Sequence, residues 1–164
     1  MKKGLFFIVI LCSFNINAQD TLSELLKKYN DNSVLYISAE ALAMPKTKAV
    51  LLDAREPREF EVSHLKKAIN VGYDHFNLDS ITALISNKNE NIVVYCSLGI
   101  RSETIAKRLK SAGYKNVFNL YGGIFEWKNK NFTVYDSEEK ETENIHVFSE
   151  AWSKWVTKGE KIYE

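Results

Sequence analysis

Residues 91–102 read Asn91-Ile92-Val93-Val94-Tyr95-Cys96-Ser97-Leu98-Gly99-Ile100-Arg101-Ser102. The β-branched, apolar first half is typical of a strand buried on both faces, and the glycine-containing segment after it is typical of a loop. Apolar residues then recur on one face from about residue 102 to residue 112, and Gly113 is placed to cap the end, so a helix is predicted there. The stretch therefore predicts a strand, a loop and a helix in that order, with Cys96 at the carboxyl end of the strand.

The same alternation of strand and helix extends over most of the chain. Strands are predicted at residues 34–37, 49–53, 68–71, 92–95 and 117–120, with helical segments between them. This order indicates an α/β fold, in which a parallel sheet carries helices on both faces. Ligands of such sheets bind beyond the carboxyl ends of the strands, where Asp53 and Cys96 both lie. A functional site is therefore expected at that edge of the sheet.

The predicted elements group into one domain with an extension at each end. Residues 34–130 form the α/β domain, residues 19–33 a helical lead-in, and residues 131–164 a short C-terminal extension. The extension is predicted to contain a strand at residues 145–148 and a helix after Ser149, in which Trp152 and Trp155 share a face. That face either packs on the domain or binds a protein partner. A length of 164 residues with 45% hydrophobic content suits a single globular domain.

The first 18 residues have the pattern of a secretory signal peptide. Two lysines follow Met1, residues 5–12 are apolar but too few to span a bilayer, and Ala18 is a small residue at the expected cleavage site. A protein exported to the bacterial periplasm, without a membrane span in its mature chain, is expected; a lipoprotein acylated on Cys12 is the alternative. Cleavage would leave Cys96 as the only cysteine, and an unpaired thiol in an oxidising compartment indicates a catalytic role.

Net charge and histidine content argue against several other classes of function. The formal net charge of +1 offers no broad field that would attract nucleic acid or an anionic membrane. The three histidines lack a metal-like spacing, and no cysteine pair remains for a redox or haem motif. We expect no nucleic acid partner, no metal site and no cofactor.

Cys96 is the residue at which chemistry is predicted most directly. Backbone N–H groups at a strand-to-helix turn point inward, and the N-terminus of the helix adds about half a positive charge. Both effects favour the thiolate, which is the nucleophilic form of cysteine. The alternative is a small buried hydrophobic residue that ends the strand. Gly99 permits a tight loop, and the guanidinium of Arg101 is suited to hold an anionic donor.

Two groups of motifs resemble the rhodanese family. The first half of that domain is similar to Leu51-Leu52-Asp53-Ala54-Arg55-Glu56, Glu59-Phe60, Ser63-His64-Leu65 and Ala68-Ile69-Asn70-Val71. The second half is similar to Tyr95-Cys96-Ser97-Leu98-Gly99-Ile100-Arg101-Ser102, Ala106, Leu109, Gly113-Tyr114 and Leu120-Tyr121-Gly122-Gly123-Ile124-Phe125-Glu126-Trp127. These motifs follow the family's order over residues 34–130, so the resemblance implies a rhodanese-like parallel sheet.

The resemblance implies a sulfurtransferase. The family's active cysteine takes the outer sulfur of a small donor such as thiosulfate or a persulfide, carries it as a persulfide, and releases it to a thiol or cyanide. Carried over by motif, the nucleophile is Cys96, and the substrate cradle consists of Ser97, Leu98, Gly99, Ile100 and Arg101. Because the loop has neutral side chains apart from Arg101, we expect weak turnover of thiosulfate and a preference for another donor.

Three further residues are placed around this pocket by the resemblance. Arg55 is expected to bind substrate, and Asp53 and Ser102 are expected to support the site. Asp53 and Arg55 form, in the alternative interpretation, an ion pair that braces the loop. His64 follows a short helix in its motif, which favours a structural role over acid–base catalysis.

Other functions stay open at this level. Cysteine-dependent phosphatases of related fold have five residues between the cysteine and the arginine, whereas four separate Cys96 from Arg101, which suits sulfur rather than phosphate. A non-catalytic rhodanese-like binding module and a redox sensor that oxidises Cys96 are the alternatives from other classes. Replacing Cys96 with serine distinguishes them, because it abolishes sulfur transfer but leaves partner binding intact.

Overall fold

The centre of the protein, in a computed structural model that describes residues 21–163, is a five-stranded parallel sheet. Its strands are β1 (Leu35–Ile37), β2 (Val50–Asp53), β3 (Ile69–Asn70), β4 (Asn91–Tyr95) and β5 (Asn116–Leu120). Their order across the sheet is β1-β5-β4-β2-β3. The prediction of an α/β fold with a parallel central sheet is therefore confirmed.

β4 is the middle strand and explains where the site lies. It pairs with β2 on one side and with β5 on the other. The four residues from Ile92 to Tyr95 are all buried, as a near-continuous apolar run in a parallel sheet requires. Asp53 and Tyr95 are register partners, so β2 and β4 end side by side at one edge of the sheet.

Within the described residues, six helices precede the C-terminal extension. They are α1 (Leu22–Tyr29), α2 (Ala39–Ala43), α3 (Pro57–Val62), α4 (Leu78–Leu84), α5 (Arg101–Ser111) and α6 (Gly123–Asn129). Their first residues follow local signals: Thr21 forms a capping box with Glu24, Ser38 accepts a hydrogen bond at the start of α2, and Pro57 stands in the first turn of α3. The helix predicted from about residue 102 begins at Arg101, within one residue of the expected position.

Two apolar clusters, one on each face of the sheet, form the core. Successive side chains of β4 point to opposite faces, so Ile92 and Val94 join the cluster beneath α4 and α5. Val93 and Tyr95 join the cluster beneath α2 and α6. Burial on both faces holds β4 firmly, and with it the position of Cys96.

The C-terminal extension packs on the second cluster. It contains β6 (Val134–Tyr135), β7 (Glu141–Thr142), β8 (Asn144–His146), α7 (Glu150–Ser153) and β9 (Glu160–Ile162). β6 and β7 are antiparallel, and β8 and β9 are parallel. The strand predicted at residues 145–148 ends at His146, and Phe148 has a φ of +62°, a left-handed conformation that breaks an extended strand. Ile145, Val147 and Val156 are buried in the cluster.

Within residues 21–163 none of the helices combines the length and the apolar composition that a bilayer crossing requires. Residues 1–18, which carried the signal peptide prediction, lie outside the described residues.

Candidate active site

Cys96 lies directly after β4, at the bottom of a loop that leads into α5. It is 2% exposed and unpaired. Its Sγ accepts a hydrogen bond from the backbone N–H of Gly99 at 3.1 Å, and the Ser102 hydroxyl lies 3.5 Å away. The loop therefore curls around the sulfur, as the strand–loop–helix pattern predicts.

Gly99 allows the curl, and two amide side chains hold it in place. Its φ is +102°, and a Cβ there would lie 3.2 Å from the carbonyl oxygen of Leu120. The Gly99 carbonyl accepts hydrogen bonds from the side chains of Asn30 and Asn119, each at 2.8 Å. These bonds fix the residue whose N–H donates to Cys96.

Asn119 connects the loop to the start of α5. It is fully buried near the end of β5, and its Oδ1 accepts a hydrogen bond from the Ser102 hydroxyl at 2.7 Å. Its Nδ2 donates to the Glu103 carboxylate at 3.3 Å as well as to Gly99. One buried amide therefore orients both groups that approach the Cys96 sulfur.

α6 holds the other side of the loop. The backbone N–H groups of Ile124 and Phe125 donate to the carbonyls of Cys96 at 2.9 Å and Ser97 at 3.1 Å. This close approach requires glycine at position 123, because a Cβ there would lie 2.2 Å from the Cys96 carbonyl oxygen. The N-terminal end of α6 thus binds the first half of the loop directly.

Arg101 pairs with a buried carboxylate. Its Nη1 and Nη2 each donate to Glu59 at 2.7 Å, and Nη2 also donates to the Ser97 hydroxyl at 3.1 Å. The Glu59 side chain is fully buried, whereas that of Arg101 is 21% exposed. Burial would raise the pKa of Glu59, but hydrogen bonds and charge from Arg101 outweigh it and lower that pKa. Glu59 is therefore an anion that fixes and neutralises Arg101.

The electrostatics of the site favour the Cys96 thiolate. Burial is the largest influence and would by itself raise the pKa of Cys96. The charge of Arg101 and the hydrogen bonds from Ser102 and Gly99 together outweigh it and lower the pKa below the ordinary value of 9.0. Cys96 is thus a better nucleophile near neutral pH than an ordinary cysteine.

A cavity of about 190 Å³ opens above the sulfur. Its lining residues are Cys96, Ser97, Leu98, Ile100, Arg101, Phe148 and Trp152. The first five come from the loop, and the two aromatic residues come from the C-terminal extension. Although Cys96 itself is buried, it is part of the cavity wall.

Arg55 and Asp53 form a closed ion pair beside this cavity and do not line it. Arg55 Nη2 donates to Asp53 at 2.6 Å and to the Ser63 carbonyl at 2.6 Å, and both side chains are 0% exposed. Arg55 also lies over the Tyr95 ring at 5.8 Å. The geometry is that of the ion pair in the alternative interpretation, and Arg55 does not line the cavity.

The other expected residues divide into two groups. Gly99 and Ser102 contact the Cys96 sulfur but do not line the cavity. His64 lies away from the cavity, stacked on Phe60 at 4.0 Å and within 3.1 Å of the Glu139 carboxylate. Among residues 21–163, no group of three or more His, Cys, Asp or Glu side chains is placed to hold a metal ion.

Five residues were not expected at this site from the sequence: Asn30, Glu59, Asn119, Phe148 and Trp152. Glu59 stands in a quoted motif, but its pairing with Arg101 spans 42 positions. Asn119 interrupts an apolar strand, and a buried amide in such a strand needs hydrogen-bond partners, which is a usable signal. Nothing in the spacing places Phe148 and Trp152 over the loop.

The family model of the rhodanese-like domain matches residues 37–130, more than half of the chain. The chain belongs to the rhodanese-like domain family. The matched residues contain the sheet from β2 to β5, the Cys96 loop and Glu59. They do not contain Phe148 and Trp152.

Curated relatives carry the name tRNA uridine(34) hydroxylase. The protein from Photorhabdus laumondii is 35% identical over 100 residues, which cover 58% of this chain and 28% of the relative. The chain thus spans about a quarter of the length of the curated relatives it matches.

Solved rhodanese structures share the fold. A rhodanese-related protein from Thermoplasma volcanium superposes with a TM-score of 0.54 and 25% identity, covering 61% of this chain and 96% of that one. A thiosulfate sulfurtransferase from Pseudomonas aeruginosa superposes with a TM-score of 0.58 over 75% of this chain and 23% of that one. At 20% identity, the second likeness shows the fold alone.

The prediction of an exported, periplasmic protein was wrong. The name of the curated relatives gives tRNA as what those proteins act on, which conflicts with export. The prediction used only the sequence of residues 1–18, which lie outside the described residues. An oxidising compartment therefore does not explain the unpaired thiol of Cys96. The position of Cys96 between a strand, a loop and a helix is independent of compartment.

Proposed function

We propose that this rhodanese-like protein is a sulfurtransferase that carries sulfane sulfur as a persulfide on Cys96. The observation that supports this most is the position of the Cys96 sulfur. It lies in the wall of a cavity, accepts the Gly99 N–H at 3.1 Å, and is next to the charge of Arg101. Donors that converge on a buried sulfur stabilise an anion, whether it is the thiolate or the persulfide formed from it.

The first half-reaction transfers one sulfur atom to the enzyme. The Cys96 thiolate attacks the outer sulfur of the donor, a new S–S bond forms, and the bond to the remainder of the donor breaks. The electron pair of that bond leaves with the donor, so thiosulfate yields sulfite. In the second half-reaction, a thiol or cyanide takes the outer sulfur, and Cys96 returns as the thiolate. Neither step needs an external oxidant.

Arg101 is proposed to aid this chemistry chiefly through Cys96. Both of its terminal nitrogens already donate to Glu59, and the carboxylate compensates its charge. The pair therefore offers a dianion such as thiosulfate little net attraction. We accordingly expect weak saturation by thiosulfate and better use of a persulfide or another organic donor.

Intact mass spectrometry tests the proposal. After incubation with a sulfane donor and removal of the excess, the protein is expected to gain the mass of one sulfur atom, and a reductant should remove it. The Cys96→Ser variant should gain nothing and should form no thiocyanate from cyanide. The Ser63→Ala variant is a matched control, because it changes a buried serine that does not line the cavity. A wild-type protein that never acquires sulfur would refute the proposal.

A second candidate is favoured only by the curated relatives. Their name describes hydroxylation of a tRNA uridine, which is oxygen transfer rather than sulfur transfer. The match covers about a quarter of those proteins, and the rest of their length is not matched by this chain. Mass analysis of nucleosides from tRNA incubated with the protein would show a hydroxylated uridine if this candidate holds. An unchanged nucleoside profile together with a persulfide on Cys96 would favour the first.

A further inference from the structure

The cavity above Cys96 has two halves of different origin. The loop, with Ser97, Leu98, Ile100 and Arg101, belongs to the family-matched residues 37–130. The opposite wall consists of Phe148 and Trp152, which lie beyond the matched residues. The chemistry of sulfur transfer therefore resides in the shared part of the chain, and the shape of the cavity depends on a part that the family model does not include.

The aromatic wall is tied to the domain. Asn129, at the end of α6, donates to the Trp155 carbonyl at 2.9 Å and accepts the Thr157 N–H at 2.8 Å. Val147 and Val156, on either side of α7, are buried in the second apolar cluster. Trp152 also meets the ring of Tyr29 from α1 edge-on, with centroids 6.5 Å apart. These contacts hold the wall opposite the loop.

Phe148 covers the arginine of the loop. The Arg101 guanidinium carbon lies 5.5 Å from the centroid of the Phe148 ring, within cation–π distance. The left-handed backbone of Phe148 is stabilised by a hydrogen bond from its N–H to His146 Nδ1 at 3.1 Å. The ring thus shields the one charged residue that lines the cavity among residues 21–163, and Glu59 compensates that charge from behind.

Charge and surface chemistry together disfavour a small dianion. With Cys96 ionised, the charges of Cys96, Arg101 and Glu59 are two negative and one positive, because the carboxylate of Glu59 offsets Arg101. Leu98, Ile100 and the two aromatic rings make the remainder of the wall largely apolar. A donor with one negative charge and an apolar group gains contact area in such a cavity, whereas thiosulfate does not.

We propose that Phe148 and Trp152 are specificity-determining residues that favour sulfane donors carrying an apolar organic group over inorganic thiosulfate. This inference rests on the proposed sulfurtransferase function. With an organic thiosulfonate, the Cys96 thiolate attacks the outer sulfur, the S–S bond of the donor breaks, and an organic sulfinate leaves with the electron pair. Atoms and charge balance without a co-reactant other than the final acceptor.

Three donors with the same reacting bond test the proposal. Thiosulfate has two negative charges and no apolar group, methanethiosulfonate has one charge and a methyl group, and benzenethiosulfonate has one charge and a phenyl group. For the wild-type protein, kcat/KM with cyanide as acceptor is expected to rise in that order. The kcat/KM for benzenethiosulfonate divided by that for methanethiosulfonate measures how much the aromatic wall favours a phenyl group. The two donors have the same charge and the same reacting bond.

Substitutions in the wall should reduce this ratio selectively. In Phe148→Ala and in Trp152→Ala, we expect it to fall by about fivefold, with little change for methanethiosulfonate. Phe148→Lys adds a cation at the same point and should raise kcat/KM for thiosulfate relative to methanethiosulfonate. Tyr163→Ala is the control, since it removes a half-exposed aromatic residue of the same extension that does not line the cavity. If Trp152→Ala fails to fold, the donor ratios of Phe148→Ala and Phe148→Lys are sufficient to test the proposal.

The outcomes separate this inference from the function on which it rests. Sulfur transfer that depends on Cys96, with donor ratios unchanged in every wall variant, would overturn the specificity role and leave the sulfurtransferase intact. A wild-type preference for thiosulfate over both thiosulfonates would also overturn it. No sulfur transfer from any of the three donors would contradict the proposed function itself.

Discussion

Two neighbouring strands of the sheet end in an arginine–carboxylate pair, and the pairs differ in what they reach. At the end of β2, Arg55 and Asp53 are both 0% exposed, and Arg55 also binds the Ser63 carbonyl. After β4, at the first residue of α5, Arg101 binds the buried Glu59 and has a side chain that is 21% exposed and lines the cavity. The Arg55–Asp53 pair therefore stabilises the fold, whereas the Arg101–Glu59 pair lies next to the reactive sulfur.

The difference shows that an arginine at the carboxyl edge of a parallel sheet is not by itself a ligand-binding residue. Whether such an arginine can bind a ligand depends on whether its side chain lines the cavity. Arg55 points back toward α3, whose last turn supplies the carbonyl acceptor, whereas Arg101 begins a helix and faces Cys96. The two pairs should therefore respond differently to the same kind of substitution.

Arg55→Met should have the largest effect, and the effect should be on stability. It leaves the Asp53 carboxylate buried without its cation, which costs about 3–5 kcal/mol of unfolding free energy. Urea denaturation measures this loss. The double variant Asp53→Asn with Arg55→Met should recover much of it, since no buried charge is left unpaired. Sulfur transfer per folded molecule should be unchanged, and a selective loss of transfer in the folded double variant would argue that Arg55 contacts substrate.

Arg101→Met should affect both stability and chemistry, because it leaves the buried Glu59 carboxylate without its cation and removes the positive charge beside Cys96. Loss of the cation beside Cys96 raises the pKa of the thiol and so lowers the thiolate fraction at neutral pH. We therefore expect persulfide formation at neutral pH to be slower than in the wild-type protein in rapid-mixing kinetics. Adding Glu59→Gln should restore stability but not the rate. Recovery of the rate in that double variant would show that Arg101 acts only as a structural partner of Glu59.

Ser102→Ala should shift the pH dependence by a smaller amount. The pKa of Cys96 is lowered, chiefly by the charge of Arg101, so the wild-type rate should rise with pH through a midpoint below that of an ordinary cysteine. Removing the Ser102 hydroxyl raises the pKa and moves the midpoint to higher pH, by less than Arg101→Met does, because the charge of Arg101 is the larger influence. Thiolate ultraviolet absorbance against pH gives the midpoint directly. A midpoint unchanged in Ser102→Ala would contradict a role for this hydroxyl.

Glu139→Gln should have the smallest effect. The carboxylate faces His64 at 3.1 Å but is 61% exposed, and exposed pairs contribute roughly 0–1 kcal/mol. Thermal or urea unfolding should change within that range, and sulfur transfer should stay at the wild-type rate. A marked loss of transfer would return His64 to the list of acid–base candidates.

Local patterns were sufficient to predict the fold and the place of the nucleophile. About twenty residues contain the whole pattern: an apolar run before Cys96, a glycine after it and a helical periodicity beyond. Each of these features favours one local structure directly. Glu59 and Asn119 act through partners 42 and 20 positions away, which spacing alone does not pair. Phe148 and Trp152 reach the cavity through the path of the extension, which depends on tertiary packing. The export prediction was wrong because a compositional pattern at one end says nothing about the domain's chemistry.

The hydrogen bonds from α6 to the carbonyls of Cys96 and Ser97 have a consequence for protein engineering. Cys96 and Ser97, the first two residues of the loop, accept hydrogen bonds from α6. The backbone at Gly123 lies so close to them that the loop cannot shift toward the helix. Extra residues intended to widen the ring for a tetrahedral oxyanion such as phosphate therefore have to enter after Ser97. An insertion earlier in the loop would detach it from α6, and enlarging the ring there would displace the nucleophile.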